Sequence, residues 1–293
     1  MAGGRTLNTD IARRLIQKGN LTRSGQKLTL LIGVALSIGA LITTFPFIWM
    51  LATSLKPQRE SLAYPPSIIP LHPTLQYFRE LFIELEFGRY LANTIAVVLI
   101  GFVGLFFMAM AGYAFAKFEF RGKGLMFFLV LATMMIPVQV TMIPTYLILN
   151  GLNLTNTLVG IAVPTLVSGF NIFLFRQFMS TLPTEIFDAS KLDGAGEWRT
   201  FWAIVIPMSK PILAVQAVLT FITGWNSFLW PLIIANDQDL YTLSVGLSLL
   251  NRQISINPSL QMAAASLMVL PILFVFIIFQ RYIVQGFALS GLK

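Results

Sequence analysis

The sequence predicts an all-α membrane protein with six transmembrane helices, and three observations carry that reading. Hydrophobic residues make up 56% of the 293-residue chain and charged residues 11%, against about 25% charged in ordinary soluble domains. Uncharged runs cover residues 28–55, 90–116, 124–175, 211–236 and 253–280, and a membrane span needs roughly 20 predominantly apolar residues. Lys and Arg gather in alternate connections between those runs, as the positive-inside rule requires of a multispan chain.

Four runs hold one helix each. The 124–175 run holds two, because Asn150-Gly151-Leu152-Asn153-Leu154-Thr155-Asn156 is a turn-forming stretch that hydrocarbon would not accommodate. Residues 1–27 form a basic leader in which Thr9 or Asn8 caps a short amphipathic helix running through Arg14 and Ile16. With no small-residue cleavage site after it, the run from Leu28 reads as an uncleaved first span. That span ends at the aromatic cluster Phe45-Pro46-Phe47-Ile48-Trp49, suited to a membrane interface.

The connection 56–89 carries Pro57, Pro65, Pro66, Pro70 and Pro73, so its first half is turn-rich, with a short helix predicted over Leu75 to Phe87. Glu80, Glu84 and Glu86 on that helix read as a solvated face balanced by Arg79 and Arg89 rather than as acid/base chemistry. The second span, Tyr90 to Ala116, is rich in small residues, including Gly101, Gly104 and Gly112, which let helices approach closely in lipid. The third, Leu125 to Leu149, contains Pro137 and Pro144, both expected to kink it. The fourth runs from Thr157 to Phe178 and includes Pro164 and Asn171. The fifth begins near Ile204 and ends in Gly224-Trp225-Asn226-Ser227-Phe228-Leu229-Trp230-Pro231. Asn257 caps the sixth, Pro258 takes its first helical position, and the span continues to about Ile283. The domain reading is thus a leader 1–27, a six-helix transmembrane domain 28–283 and a tail 284–293.

With the N-terminus inside, 15 of the 20 basic residues fall on cytosolic segments and 5 on outer ones. Both termini are therefore placed in the cytosol, and the net charge of +8 reflects topology and lipid contact, not nucleic-acid binding. There is no cysteine, hence no disulfide framework or thiolate chemistry, and the single histidine, His72, lacks the convergent partners of a metal site. No phosphate-binding loop, His-Glu-x-x-His or Gly-x-Ser-x-Gly pattern occurs. No catalytic, cofactor-binding or metal-ligating residue is assigned, and an enzyme is not expected. Ionisable residues are also missing near the centres of the spans, which argues against proton coupling and for an energy source outside the chain.

One polar island interrupts this pattern between Arg176 and Lys210. Glu185, Asp188, Asp193 and Glu197 are set against Arg176, Lys191, Arg199 and Lys210, so the loop is charged yet neutral overall. Pro183 suits a helix start, and Ile186, Ala189 and Ser190 share one helical face that would dock in a groove. Gly194 permits a sharp change of direction, and Trp198, Phe201, Trp202 and Val205 form the apolar face of a second short helix.

The island resembles the signature of the membrane subunits of binding-protein-dependent ABC importers: Glu-Ala-Ala, three residues, Gly, nine residues, Ile-x-Leu-Pro. Asp188-Ala189-Ser190 stands at Glu-Ala-Ala, Gly194 and Pro207 are in place, Ile204-Val205-Ile206 fills Ile-x-Leu, and Asp193-Gly194-Ala195 matches the family's usual triplet. Asp188, Ser190 and Ile206 depart mildly from it. Trp225 to Pro231 and the ending Gln280 to Lys293 are similar to the smaller permease of the maltose-type carbohydrate importers.

The resemblance implies a bacterial inner-membrane permease with a cytosolic coupling-helix loop, about 179–207, between helices 4 and 5. It implies as partners a homologous second permease, two cytosolic ATPase subunits that hold ATP and Mg, and an extracytoplasmic solute-binding protein. Glu185, Asp188, Ala189, Ser190, Asp193, Gly194, Ala195 and Pro207 are the expected coupling residues, with the C-terminal tail reaching toward the ATPase pair. Trp225, Asn226 and Trp230 would meet solute or else form an interfacial aromatic belt, and Gln139 and Asn171 are further pathway candidates or interhelical ties. A sugar or sugar derivative is the expected cargo. A glycerol phosphate, polyol or sulfonated sugar stays open, as do an ion-coupled carrier or channel and a structural assembly subunit.

Overall fold

The computed structural model describes residues 23–253 and 257–290, and every regular element among them is helical. The predicted leader helix around Thr9 to Ile16 and the last residues of the tail lie outside the described residues. The chain divides at Ala52 into two units. In the first, α1 (Arg23–Ser54) supplies the only described structure, an apolar helix with exposed aliphatic side chains such as Leu30, Leu36 and Leu41.

The second unit is organised on one long helix. After α2 (Gln58–Ser61) and α3 (Gln76–Ile83) comes α4 (Phe87–Lys117), buried along one side at Val97, Gly101, Gly104, Leu105, Met108, Ala109 and Gly112. Next are α5 (Lys123–Thr133) and α6 (Val138–Gly151), then α7 (Leu158–Ala162) with a 3₁₀ turn (Val163–Thr165), and α8 (Gly169–Met179). Two short helices, α9 (Thr184–Leu192) and α10 (Glu197–Thr200), lead through a π-helical stretch (Phe201–Val205) and a last turn (Ile206–Met208) into α11 (Lys210–Trp225). The remainder is α12 (Leu229–Ile234), α13 (Leu243–Gln253) and α14 (Pro258–Ser290).

Three helices, over Leu28–Ser54, Phe87–Lys117 and Pro258–Gln280, are each long and apolar enough to cross a membrane. The other apolar runs are broken more sharply than the sequence suggested. α5 and α6 meet at 102°, the two parts of the fourth run at 42°, and the limb Glu197–Met208 meets α11 at 80°. Pro137 caps α6 and forces the preceding residue out of helical geometry, so it breaks the third run rather than kinking it, whereas Pro144 sits inside α6.

The fifth run starts later than predicted. Ile204 belongs to the limb before the bend, and the break falls at Ser209, because Pro211 has no N–H to give the carbonyl of Pro207. The sixth helix begins as read, with Asn257 Oδ1 accepting the N–H of Leu260 at 3.3 Å, but α14 runs past Ile283 through the first residues of the predicted tail to Ser290.

α4 and α8 lie close enough to exclude side chains between them. A Cβ on Gly112 would sit 2.3 Å from Phe175 Cβ in α8, and one on Gly104 would sit 2.3 Å from the carbonyl oxygen of Leu166, in the link just before α8. This is the small-residue approach expected of the second span, and it is what lets Phe175 and Met179 be wholly buried against α4. The Asn150–Asn156 turn forms as predicted, with Asn153 and Asn156 at positive φ. Asn156 Oδ1 there accepts the N–H groups of Asn236 and Asp237 at 2.9 and 3.0 Å.

The 55–75 connection is held by a carboxylate. Glu60 accepts the N–H of Leu71 at 2.8 Å, the N–H of His72 at 3.3 Å and the hydroxyl of Ser67 at 3.1 Å, while the buried Lys56 ammonium donates to the Ser67 carbonyl. The hydrogen bond from Leu71, with those from His72 and Ser67 and the charge of Lys56, holds the Glu60 carboxyl below its ordinary value of 4.5 against the opposing effect of desolvation.

Two predictions follow from this architecture. Gly112→Ala destabilises the protein by about 1–3 kcal/mol through overpacking, whereas Gly124→Ala, with nothing within 4 Å of its Cβ, is neutral or mildly stabilising; thermal unfolding in detergent compares the two. A carboxylate with a lowered folded pKa contributes order that is present above its unfolded pKa and lost as pH falls through the folded one. Hydrogen exchange of 67–72 therefore accelerates once pH drops below the ordinary carboxylate range, and Glu60→Gln removes this pH dependence.

Candidate functional site

The polar island folds as two short helices on a bracket. α8 ends at the fully buried Met179, Ser180 and Thr181 return their hydroxyls to the carbonyls of Gln177 and Phe178, and Pro183 caps α9 as predicted. Glu185 lies in the first turn of α9 and Lys191 in the last, each complementing the helix dipole. α9 closes in a Schellman motif: Gly194 N–H donates to the Lys191 carbonyl and Ala195 N–H to the Ser190 carbonyl, both at 3.0 Å. That geometry requires φ of +74° at Gly194, which favours glycine.

The underside of the bracket is buried and the outer side is open. Phe187, Phe201 and Val205 enter a core with Tyr113, Phe115, Phe175 and Met179. Tyr113 stacks on Phe187 at 6.1 Å and lies 5.7 Å from the Phe201 ring. Lys117 Nζ donates to the Leu182 carbonyl at 2.6 Å and sits 4.9 Å from the centre of the Phe187 ring.

Ser190, expected on the docking stripe, is instead buried, its hydroxyl 2.7 Å from that of Thr200, so it ties α9 to α10. A helical periodicity identifies a common face without saying which face meets the protein, and here Phe187 outweighed the small residues. The exposed side carries Glu185, Asp188, Ala189, Lys191, Leu192 and Asp193, with Ala195 half-buried and Pro207 exposed. Leu192 is 90% exposed, Trp198 61% and Trp202 53%, so the two indoles do not join Phe201 and Val205 inside. Among the described residues no ion pair forms within the island, and Glu197 accepts the Tyr113 hydroxyl at 3.4 Å.

The second predicted group disperses. Trp225 is buried at 3% exposure, its Nε1 donating to the Met268 carbonyl at 3.0 Å. Trp230 is half-buried and donates to the Gly160 carbonyl at 3.3 Å, while Asn226 closes α11 and is exposed. Gln139 is exposed beside the α5–α6 bend. Asn171 is half-buried, and its carbonyl accepts the amide of the fully buried Gln216 at 3.1 Å.

Gln216 and Lys117 were missed in the sequence. Gln216 stands out there only as the one amide between Lys210 and Trp225, and Lys117 only as one more basic residue after a span. Among the described residues no group of three or more His, Asp or Glu side chains converges as metal ligands would.

Residues 108–288 match the family described as binding-protein-dependent transport system inner membrane component. The chain is similar to the arabinooligosaccharides transport system permease protein AraQ of Halalkalibacterium halodurans, 33% identical over 273 residues covering 91% of this chain and 97% of that one. It is also similar to the sn-glycerol-3-phosphate transport system permease protein UgpE of Yersinia pestis, 35% identical over 263 residues, 86% of this chain and 93% of that one. A third relative is the diacetylchitobiose uptake system permease protein NgcG of Streptomyces coelicolor, 30% identical over 253 residues, 85% and 83% of the two chains. Among solved structures, a chain of a bacterial ABC transporter involved in the import of the acidic polysaccharide alginate superposes with a TM-score of 0.78 at 25% identity, covering 90% of this chain and 99% of that one. With its all-helical permease fold and with a family match that includes α8 to α11 and the whole polar island, this chain belongs to the binding-protein-dependent inner-membrane components of ABC transporters.

Proposed function

We propose that this chain forms half of the translocation pathway of an ATP-driven importer, carrying a sugar or sugar derivative delivered by a solute-binding protein. The observation that carries the reading is the two-sided construction of the island. Its underside is fixed by Phe187, Phe201 and the Ser190–Thr200 hydroxyl pair, while Glu185, Asp188, Ala189 and Asp193 stay exposed on a helix that starts at Pro183 and is closed by a Schellman motif at Gly194. A surface of that kind transmits a push instead of absorbing it.

The three unbroken helices and the three bent pairs, each counted as one span, give six crossings. With the termini in the cytosol, the island lies on the cytosolic side between the fourth and fifth, where ATPase subunits holding ATP and Mg would seat. Binding and hydrolysis there would rock the helices, with Gly194 setting the angle between the two short arms and Ser209 the joint to α11. The homologous second permease completes the pathway.

Arabinooligosaccharide and diacetylchitobiose relatives favour a carbohydrate cargo. The glycerol-3-phosphate relative, at 35% identity, supports a second reading with an anionic cargo. A neutral solute is preferred because no Lys or Arg occurs in 90–116, 124–175 or 211–251, so these segments offer no cation to a phosphate.

The test is reconstitution of the importer with its cognate binding protein in vesicles. Uptake of the sugar that the binding protein retains is expected to require ATP, and solute should stimulate hydrolysis. Gly194→Val, forced into a left-handed conformation at a cost of roughly 1–2 kcal/mol, lowers uptake and stimulated hydrolysis together without loss of the permease from the membrane, whereas Gly194→Asn is tolerated. Gradient-driven transport by the purified single chain without ATP would overturn the reading.

A further inference from the structure

Of the three long helices, α4 is the one without an internal proline, since α1 contains Pro46 and α14 contains Pro271. Sharp bends in helices have identifiable causes, proline chief among them, so α4 lacks the commonest cause of a bend along its length. Its 31 residues span about 46 Å at ~1.5 Å per residue.

Both ends of this helix hold backbone, not merely side chains. At one end Lys117 Nζ donates to the carbonyl of Leu182 at 2.6 Å, at the elbow from which α9 projects. Leu182 precedes Pro183, whose ring limits the directions the elbow takes. Among the described residues no carboxylate lies within 4 Å of this ammonium, so its firm partners are the carbonyl and the Phe187 ring, 4.9 Å away. One turn earlier, Tyr113 contacts Phe187 on the first arm of the island and Phe201 on the second.

At the other end Asn93 Nδ2 donates to the carbonyls of Asp239 at 2.7 Å and Tyr241 at 3.0 Å. Thr94 Oγ1 accepts the N–H of Leu243 at 2.8 Å with both residues buried, and Arg89 pairs with Asp239. These contacts pin the segment that leads into α13.

We infer that α4 is a connecting rod, in which Lys117 holds the island and Asn93 with Thr94 holds segment 237–243, so that displacement at one is delivered to the other. Lys117 is then a positioning residue for coupling, acting through the elbow at Leu182. The inference rests on the proposed function, because it is ATPase closure that displaces the island. Coupling between two sites is reciprocal in free energy, so a solute-loaded binding protein that shifts segment 237–243 must in turn bias the island.

The experiment is hydrogen exchange on the full importer in nanodiscs, with and without trapping by ATP and orthovanadate. In the wild type, exchange across 237–243 changes by about 5-fold or more, the lower range of allosteric coupling. Lys117→Met keeps the apolar stem but removes the ammonium, and it reduces that change to below about 2-fold, while Lys117→Arg, which restores a cationic donor, recovers it.

A response in Lys117→Met equal to wild type overturns the rod, as does a wild type with no response at 237–243. If Lys117→Met fails to assemble, Asn93→Leu gives the same decision in reverse. Exchange of α9 on adding the solute-loaded binding protein must lose its response, and an unchanged response overturns the inference. Absence of ATP-dependent uptake in the wild-type vesicles would instead overturn the proposed function.

Discussion

The close approach of α4 to α8 is the constraint on which the rest of the second unit depends. Gly112 brings α4 against Phe175 of α8 and Gly104 brings it against Leu166 in the link just before α8, and at either position a Cβ would meet an atom at 2.3 Å. In lipid there is little hydrophobic gain from joining two apolar helices, so contact distance and dispersion decide which faces meet. Once α8 is seated, Phe175 and Met179 are fully enclosed, and the chain leaving α8 has no choice but to emerge beside the Lys117 end of α4. The bracket formed by α9 and α10 inherits its position from that contact.

Within the bracket, polar and apolar forces divide the labour. Aromatic burial at Phe187 and Phe201 provides adhesion, and their contacts with Tyr113 give it direction. The Ser190–Thr200 hydroxyl pair and the Schellman closure at Gly194 fix the angle between the arms without using any of the exposed carboxylates. Asp188, Asp193 and Glu185 therefore remain free to face a partner. At the opposite end of α4, side-chain amides and hydroxyls do the corresponding work on backbone groups of 239–243, where unpaired carbonyls and N–H groups would be costly to bury.

Local chemistry was legible in the sequence, and long-range partnership was not. Small residues in the second span, the cap at Asn257, the turn at Asn150–Asn156, and the start and end of α9 at Pro183 and Gly194 all follow from conformational preferences carried by the residues themselves. The severity of the breaks did not: a proline announces a disturbance, but whether it kinks, as expected at Pro137, or ends a helix at 102° depends on what the next segment packs against. Ser190 and Trp225 were misplaced for the same reason. A hydroxyl or an indole suits either surface or interior, and only the partners Thr200 and Met268, 10 and 43 residues away, decide between them. Lys117 was counted as topological charge because its function lies in a carbonyl 65 residues further on.

The central claim is that α9 presents one face to an ATPase subunit and the other to its own core. Because the chain contains no cysteine, single cysteines can be placed at will for cross-linking to a cysteine on the permease-facing surface of the ATPase in the assembled importer. The account predicts efficient cross-linking from Asp188→Cys and Leu192→Cys and none from Ser190→Cys. Cross-linking from position 190 as strong as from 188, or none from 188 in an importer that retains ATP-driven uptake, would contradict it.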